Sequence, residues 1–253
     1  EQPASPCAER CVDHPSGRIR VHPDLPARRV IDAALGEGRS GLFFDEGARV
    51  ISHYGIPVCP FAYAASVEEG LKFAREVGYP VVAKIDAPQI YHRYEHGAVI
   101  SGIGGEGGLA EAIGRLKGIA SSLGVPGARV LVQKMVQGRE LIFGLKRDPS
   151  FGPVVMFGIG GTFVEALKDV AFAVAPLSVA QAERTIRSIR AFPLLRAFRG
   201  RPALDIGLLS QILVGLARLG MDIPRIDEID LNPVIAGEGG AAAVDILVKL
   251  SQG

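Results

Sequence analysis

The sequence has few cysteines, almost no net charge and no long apolar run, and each lack closes off a class of function. Three cysteines, Cys7, Cys11 and Cys59, are too few and odd in number for a disulfide framework. With no signal-peptide pattern beside them, they indicate a reducing cytoplasm. Cys7 and Cys11 are spaced CxxxC, but no second ligand pair follows at a zinc-site interval, so both read as part of an unspecialised tail. A net charge of +1 builds no field that would attract nucleic acid or an anionic membrane. No segment is apolar for long enough to cross a bilayer. No internal repeat is visible, and no GxGxxG loop follows an early strand.

What is present is a chain of 253 residues, 48% hydrophobic and 22% charged, enough to bury a core in one large domain or in two lobes sharing a cleft. Residues 1–24 mix proline, charge and small side chains without periodicity and read as an arm or linker. "PARRVIDAALGEG" and "FDEGARVISHYG" space their apolar residues as helices do and stop at glycine, after which "IPVCPFAYA" takes on strand character. Ser66 with Glu69 three residues on has the pattern of a capping box, opening a helix that ends at Gly78. "YPVVAKI", "AVISGI" and "ARVLVQKMV" read as strands, with a helix in "GLAEAIGRLKGIASSLG" between the last two. "RELIFGLKRDPSFGPVVMFGIGG" reads as two antiparallel strands joined at "RDPSFGP". Helices from about Ser178 to Ala191 and from Leu204 to Leu219 follow, then two strands, "RIDEIDLNPVIA" and "AAAVDILVKL". Helices alternate with strands and hairpins intervene, so the class is mixed α and β, not a purely parallel doubly wound sheet.

Several residues sit where their chemistry is out of place. Lys84, in an apolar strand, either reaches a cleft or an anion or snorkels at the strand end, and both readings stay open. "LVQKMVQGREL" runs from a strand into a glycine-containing bend as a hinge does, and Glu140 just beyond it is either a ribose acceptor or an ordinary surface glutamate. Asp230 and Asn232 alternate onto one face of a strand, and Asp245 falls on what reads as the neighbouring strand of a hairpin. Such hard oxygen ligands hold magnesium beside a nucleotide, phosphates and water completing the shell. The cluster in "FGIGGTFVEALKD" lacks Walker or dinucleotide spacing and reads as a turn. His92 and His96, in "IYHRYEHGAV", lie four apart, but a metal pair at that spacing needs a helix, which Gly97 and the nearby proline oppose.

In this order the pieces resemble the ATP-grasp subunit of the ADP-forming acyl-CoA synthetases, the acetate–CoA ligase family related to succinyl-CoA synthetase. The likeness runs from about residue 25 to 250 and is carried by "HYGIPV", "VGYPVVAKI", the histidine loop, "VQKMVQGRELIFGLKRDPSFGPVVMFGIGGTFVEALKDVAFAVAPLS", "IRSIRAFPLLRAFRGRPALD" and "EIDLNPVI…AVDI". It implies a two-lobed ATP-grasp fold over about residues 25–253 with nucleotide between the lobes. The small lobe would take in about 60–133, and the large lobe about 134–253 with the N-terminal helices. It also implies that Lys84 contacts the phosphates of ATP or ADP, that Gln133, Lys134 and Val136 hold adenine through the hinge, and that Glu140 takes the ribose. Asn232 and Asp245 would bind Mg2+. His92 would carry phosphate between two active sites, and Asp230 would lie near the phosphorylated histidine of a partner.

The family pattern "SPDILHKSDVGGV" aligns with "APQIYHRYEHGAV", so Arg93, Tyr94, Glu95 and Ala98 replace lysine, serine, aspartate and glycine, while Lys134 stands where the family has glutamate. The family's CoA-binding domain and the domain with the first phosphohistidine have no counterpart here, so either a separate subunit supplies them or this is one piece of a larger or processed protein; the expected partner is a CoA-binding α subunit or domain, in a hetero-oligomer. The expected reaction is acyl-CoA + ADP + phosphate = acid + CoA + ATP. Two other readings are an ATP-grasp carboxylate ligase of another type and an ATP-binding regulatory module without a shuttle.

Overall fold

A computed structural model describes residues 26–88, 97–125, 127–161, 169–197, 200 and 202–251. The arm at 1–24, Cys7, Cys11, His92 and His96 lie outside the described residues.

Two helices come first, α1 (Pro26–Gly36) and α2 (Phe44–His53). The chain then builds a four-stranded antiparallel sheet from β1 (Phe61–Tyr63), β2 (Val81–Asp86), β3 (Val99–Ile103) and β4 (Arg129–Lys134), in the order β1-β4-β2-β3. Helices α3 (Val67–Val77) and α4 (Glu106–Ser122) cover one face, because Val81, Ala83 and Ile85 of β2 and Val130 and Val132 of β4 alternate toward Leu109, Ile113 and Leu116 of α4. At the start of α3 Ser66 Oγ accepts from Glu69 N (3.2 Å), but the Glu69 carboxylate accepts from Ala65 N (2.9 Å) instead of Ser66 N, so the expected capping box is made only by half.

The second unit is an antiparallel sheet of β5 (Arg139–Asp148), β6 (Gly152–Ile159), β7 (Val170–Val174), β8 (Ile226–Gly237), β9 (Gly240–Ala243) and β10 (Leu247–Leu250). Its order is β10-β8-β5-β6-β7, with β9 also on β8. Helices α5 (Val179–Arg187) and α6 (Ile206–Asp222) pack on the face that buries Phe143, Leu145, Val155 and Phe157, and they share the larger core with α1 and α2. The first of these helices is shorter than its periodicity suggests; Ser178 caps it, and a 3-10 turn at Phe192–Leu195 follows. Gly215 lets α6 approach the turn after α2, since a Cβ there would stand 2.6 Å from Tyr54 O.

One element differs in kind from the sequence expectation. "AAAVDILVKL" is not one strand: it breaks at Val244–Ile246 into β9 and β10, which pair with opposite ends of β8, Val234–Gly237 and Ile226–Asp230. Asp245 therefore lies in a corner, not on the neighbouring strand of a hairpin. Among the described residues no helix is long and apolar enough to cross a membrane.

Candidate functional site: the cleft between the lobes

The small sheet's second face looks at the rest of the molecule. If Val81, Ala83 and Ile85 point to α4, then Val82, Lys84 and Asp86 point the other way, as do Leu131 and Gln133 of β4, and Leu131 indeed belongs to the larger core. Lys84 is 4% exposed, so its charge must be met inside. Its Nζ donates to Val244 O (2.6 Å) and to Asp245 Oδ1 (3.3 Å), and it lies 4.4 Å from the centre of the Phe44 ring. Of the two readings open at the sequence level, snorkelling to solvent is not what the structure shows: the ammonium turns inward, to Val244 and Asp245.

Opposite it stands an acidic corner. Asp230 and Asn232 are on the face of β8 away from buried Ile229 and Leu231. Between the pairs Leu141–Val234 and Phe143–Leu231, one residue of β5, Ile142, stands opposite two of β8, so a bulge sits at Asn232–Pro233. That bulge separates β9 from β10 and turns Asp245 toward Lys84. Burial, reinforced by the charges of Asp245 and Glu228 and opposed by Lys249, pushes the Asp230 carboxyl up to about 6. Among the described residues no three His, Cys, Asp or Glu side chains are grouped to hold a metal by themselves. A hard divalent cation with phosphate and water ligands nevertheless fits this corner, because its donors are all oxygens and a cation would relieve the repulsion that perturbs Asp230.

The two chain crossings that join the lobes lie together. Lys134 N donates to Pro60 O (3.1 Å) and Met135 N to Pro80 O (3.1 Å). Cys59 Sγ donates to Lys134 O (3.2 Å), and burial pushes that thiol up to about 11 against the opposing fields of Lys84 and Lys134. Val136 follows half-buried, while the Lys134 side chain is exposed. Gln133 is 2% exposed, and its Nε2 finds no acceptor among the described residues. Glu140, near the start of β5, is exposed. Its surroundings explain the glycines of "FGIGG", which the sequence offered only as a turn. Gly160 N donates to Glu140 O (2.6 Å), and Cβ atoms built on Gly160 and Gly161 would come within 2.8 Å of the Glu140 backbone and 3.0 Å of its Oε2.

Sequence reasoning missed one group entirely. Asp86, fully buried at the end of β2, accepts from Tyr63 OH (2.6 Å), from Phe44 N at the start of α2 (2.9 Å) and from Arg129 Nη2 (3.4 Å). Arg129 also bonds Asp45 (2.8 Å), and its guanidinium lies between the rings of Phe43 and Tyr63 at 4.0 and 3.9 Å. Burial raises the Asp45 carboxyl, yet hydrogen bonds from Arg49 and Arg129 hold it below the usual carboxylate range. The available signal was an aspartate closing the apolar run "VVAKID".

Two antiparallel sheets, with a buried lysine of one meeting a carboxylate corner of the other, define a two-lobed fold closed across one seam. Residues 33–250 match the family described as the ATP-grasp domain. The chain is 43% identical over 223 residues to the "Acetate--CoA ligase [ADP-forming] I subunit beta" of Pyrococcus furiosus, covering 87% of this chain and 95% of that one. It is 38% identical over 248 residues to the "Acetate--CoA ligase [ADP-forming] I" of Archaeoglobus fulgidus, covering 94% of this chain but only 36% of that protein. Among solved structures, the dinucleotide-forming acetyl-coenzyme A synthetase 1 of Ca. Korarchaeum cryptofilum with coenzyme A and Ca-AMPCP superposes with a TM-score of 0.83 at 41% identity, over 89% of this chain and 100% of that one. Another structure of that enzyme, with Mg-AMPPCP and its "phosphohistidine segment pointing towards nucleotide binding site", superposes with a TM-score of 0.77 at 40% identity and the same coverage. The chain belongs to the ATP-grasp family, on the branch of the ADP-forming acetate–CoA ligase β subunits. It thus spans nearly all of a separately encoded β subunit and about a third of a fused ligase.

Proposed function

We propose that the chain is the nucleotide-binding part of an ADP-forming acyl-CoA synthetase, moving a phosphoryl group between a phosphohistidine of a CoA-binding partner and ADP. The observation that carries this is Lys84 of the small lobe meeting Val244 and Asp245 of the large lobe beside Asp230. A fixed cation beside a set of oxygen donors is what a polyphosphate passing between the lobes would need, and that supports the reading. Lys84 offsets charge on the phosphoryl group in flight, where most catalysis of this reaction resides. Asn232 and Asp245 would hold Mg2+, which when bound would screen the polyphosphate charge. The hinge Gln133–Lys134–Met135–Val136 takes the adenine edge through backbone groups, and Glu140, wedged by Gly160 and Gly161, takes the ribose hydroxyls. The small lobe at about 60–133 and the large lobe at about 134–253 with the N-terminal helices are the two walls of the nucleotide site.

His92 is the carrier in this scheme, by the family alignment. Imidazole is chemically suited to carry phosphate, since with an ordinary pKa near ~6.5 its neutral form is an available nucleophile in a neutral compartment. The N–P bond of the partner's phosphohistidine breaks as one to His92 forms, and that bond breaks in turn as a β-phosphate oxygen of ADP takes the group. Asp230 stands where the partner's histidine would arrive.

The test is to incubate the chain with Mg2+ and γ-labelled ATP and map acid-labile phosphate by peptide mass analysis. Label on His92, lost in His92→Ala while ATP still binds, supports the shuttle. Label elsewhere, or unchanged turnover of His92→Ala in the complete complex, overturns it.

A further inference from the structure

We infer that Lys84 decides the form in which the metal enters. Its ammonium holds the oxygens of Val244 and Asp245 against a divalent cation, so the cation binds this chain only together with a polyphosphate that draws Lys84 away. The inference rests on the nucleotide reading above and deepens it.

Geometry is the first support. Lys84 Nζ reaches two oxygens of the acidic corner, Val244 O at 2.6 Å and Asp245 Oδ1 at 3.3 Å, so the ammonium takes the part of a small cation there. Ile246 N donates to the same Oδ1 (3.1 Å), and that oxygen already meets two donors. The Asp245 side chain is 30% exposed and that of Lys84 only 5%, so a cation arriving from solvent meets the carboxylate with the ammonium on its inner side. The corner is also held in place. Ala243 N donates to Pro57 O (2.8 Å), Cys59 N to Ala243 O (3.0 Å) and Val244 N to Pro233 O (3.1 Å). It is therefore the lysine, not the backbone carrying the carbonyl, that has to give way.

Electrostatics is the second. Asp245 lies close enough to Asp230 to raise its carboxyl, so two acidic groups share the corner and Lys84 answers part of their charge. A divalent cation entering alone would be drawn by the carboxylates but would stand beside a fixed charge of its own sign. Lys84 could yield to it only by giving up charge-assisted hydrogen bonds inside the protein. Phosphate oxygens change that balance, because they offer the ammonium new acceptors of opposite charge and leave the corner oxygens to the metal. Lys84 thus distinguishes the metal–nucleotide complex from the free metal.

The test uses Mn2+ alone as the probe, titrated into the full chain without nucleotide and followed by electron paramagnetic resonance. Lys84→Met and Lys84→Gln should bind Mn2+ about 10- to 100-fold more tightly than the unsubstituted chain, the worth of the charged hydrogen bonds that no longer hold the corner. The gain should vanish when Asp245→Asn is added. The same Lys84 variants should bind Mg-ATP more weakly, and a loss of fold would not move the two affinities in opposite directions. Unchanged Mn2+ affinity in a folded Lys84 variant overturns the inference, and so does a gain that survives Asp245→Asn. A loss of Mn2+ binding on Asp245→Asn in the otherwise unsubstituted chain overturns it without any Lys84 variant. Failure of the unsubstituted chain to bind ADP with Mg2+ would overturn the nucleotide reading itself, a different result.

Discussion

Replacing Asp230 by Asn should stabilise the protein, and only above a definite pH. Burial and the charges of Asp245 and Glu228 raise this carboxyl from 3.8 to about 6. A shift of about 2 units at 1.36 kcal/mol each is about 3 kcal/mol, which solvent screening at this half-buried position lowers to roughly 2 kcal/mol. Between pH 3.8 and about 6 the folded state holds a proton that the unfolded chain has released, so stability falls as pH rises through that window and stays reduced above it. Asn cannot ionise and escapes the loss. For a chain of this size about 2 kcal/mol corresponds to roughly 4–8 °C in Tm. Melting curves of both proteins in EDTA, without nucleotide, should coincide near pH 4 and separate by that amount at pH 8, with the variant higher. A constant gap across the range, or a lower Tm for the variant at pH 8, would refute the placement of Asp230 in a repulsive acidic corner.

Lys84→Met should weaken Mg-ATP binding by about 10- to 100-fold, the worth of charged hydrogen bonds to phosphate, and calorimetry showing less than a twofold change would remove Lys84 from the site. Gly215→Ala should destabilise the fold by about 1–3 kcal/mol in urea titration, because its Cβ would press on Tyr54 O at 2.6 Å; an unchanged midpoint would mean that α6 shifts freely. Asp86→Ala should cost about 1–3 kcal/mol, since it leaves Phe44 N without its buried acceptor and leaves Tyr63 and Arg129 only Asp45 of their two carboxylates, whereas an unchanged stability would show the network to be incidental.

Much of this was legible in the sequence where cause was local. The β-branched run around Lys84 made a strand because alternate residues met α4, and a lone ammonium in that run marked the cleft. Asp245 was misplaced because nothing local in "AAAVDILVKL" announces a break. The break comes from pairing on either side of the Asn232–Pro233 bulge, a contact between segments. The role of Gly160 and Gly161 was hidden for the same reason, since their closeness to Glu140 exists only once β5 and β6 are joined. Asp86 draws partners from 23, 42 and 43 positions away, beyond any motif window. Gln133 was singled out for its place in the hinge, but only burial reveals its unanswered amide.

The Asp86 network bears on how the cleft admits its ligand. The chain enters the small lobe at Pro60 and leaves it at Met135, both at one end of the four-stranded sheet, while Asp86, Tyr63 and Arg129 pin the opposite end to α2. A door leaf hung on one jamb swings wide; a leaf fastened on both can only flex. A ligand entering between the lobes would have to displace side chains, the Lys84–Asp245 bridge among them, and the overall envelope of the molecule should hardly change between empty and loaded states.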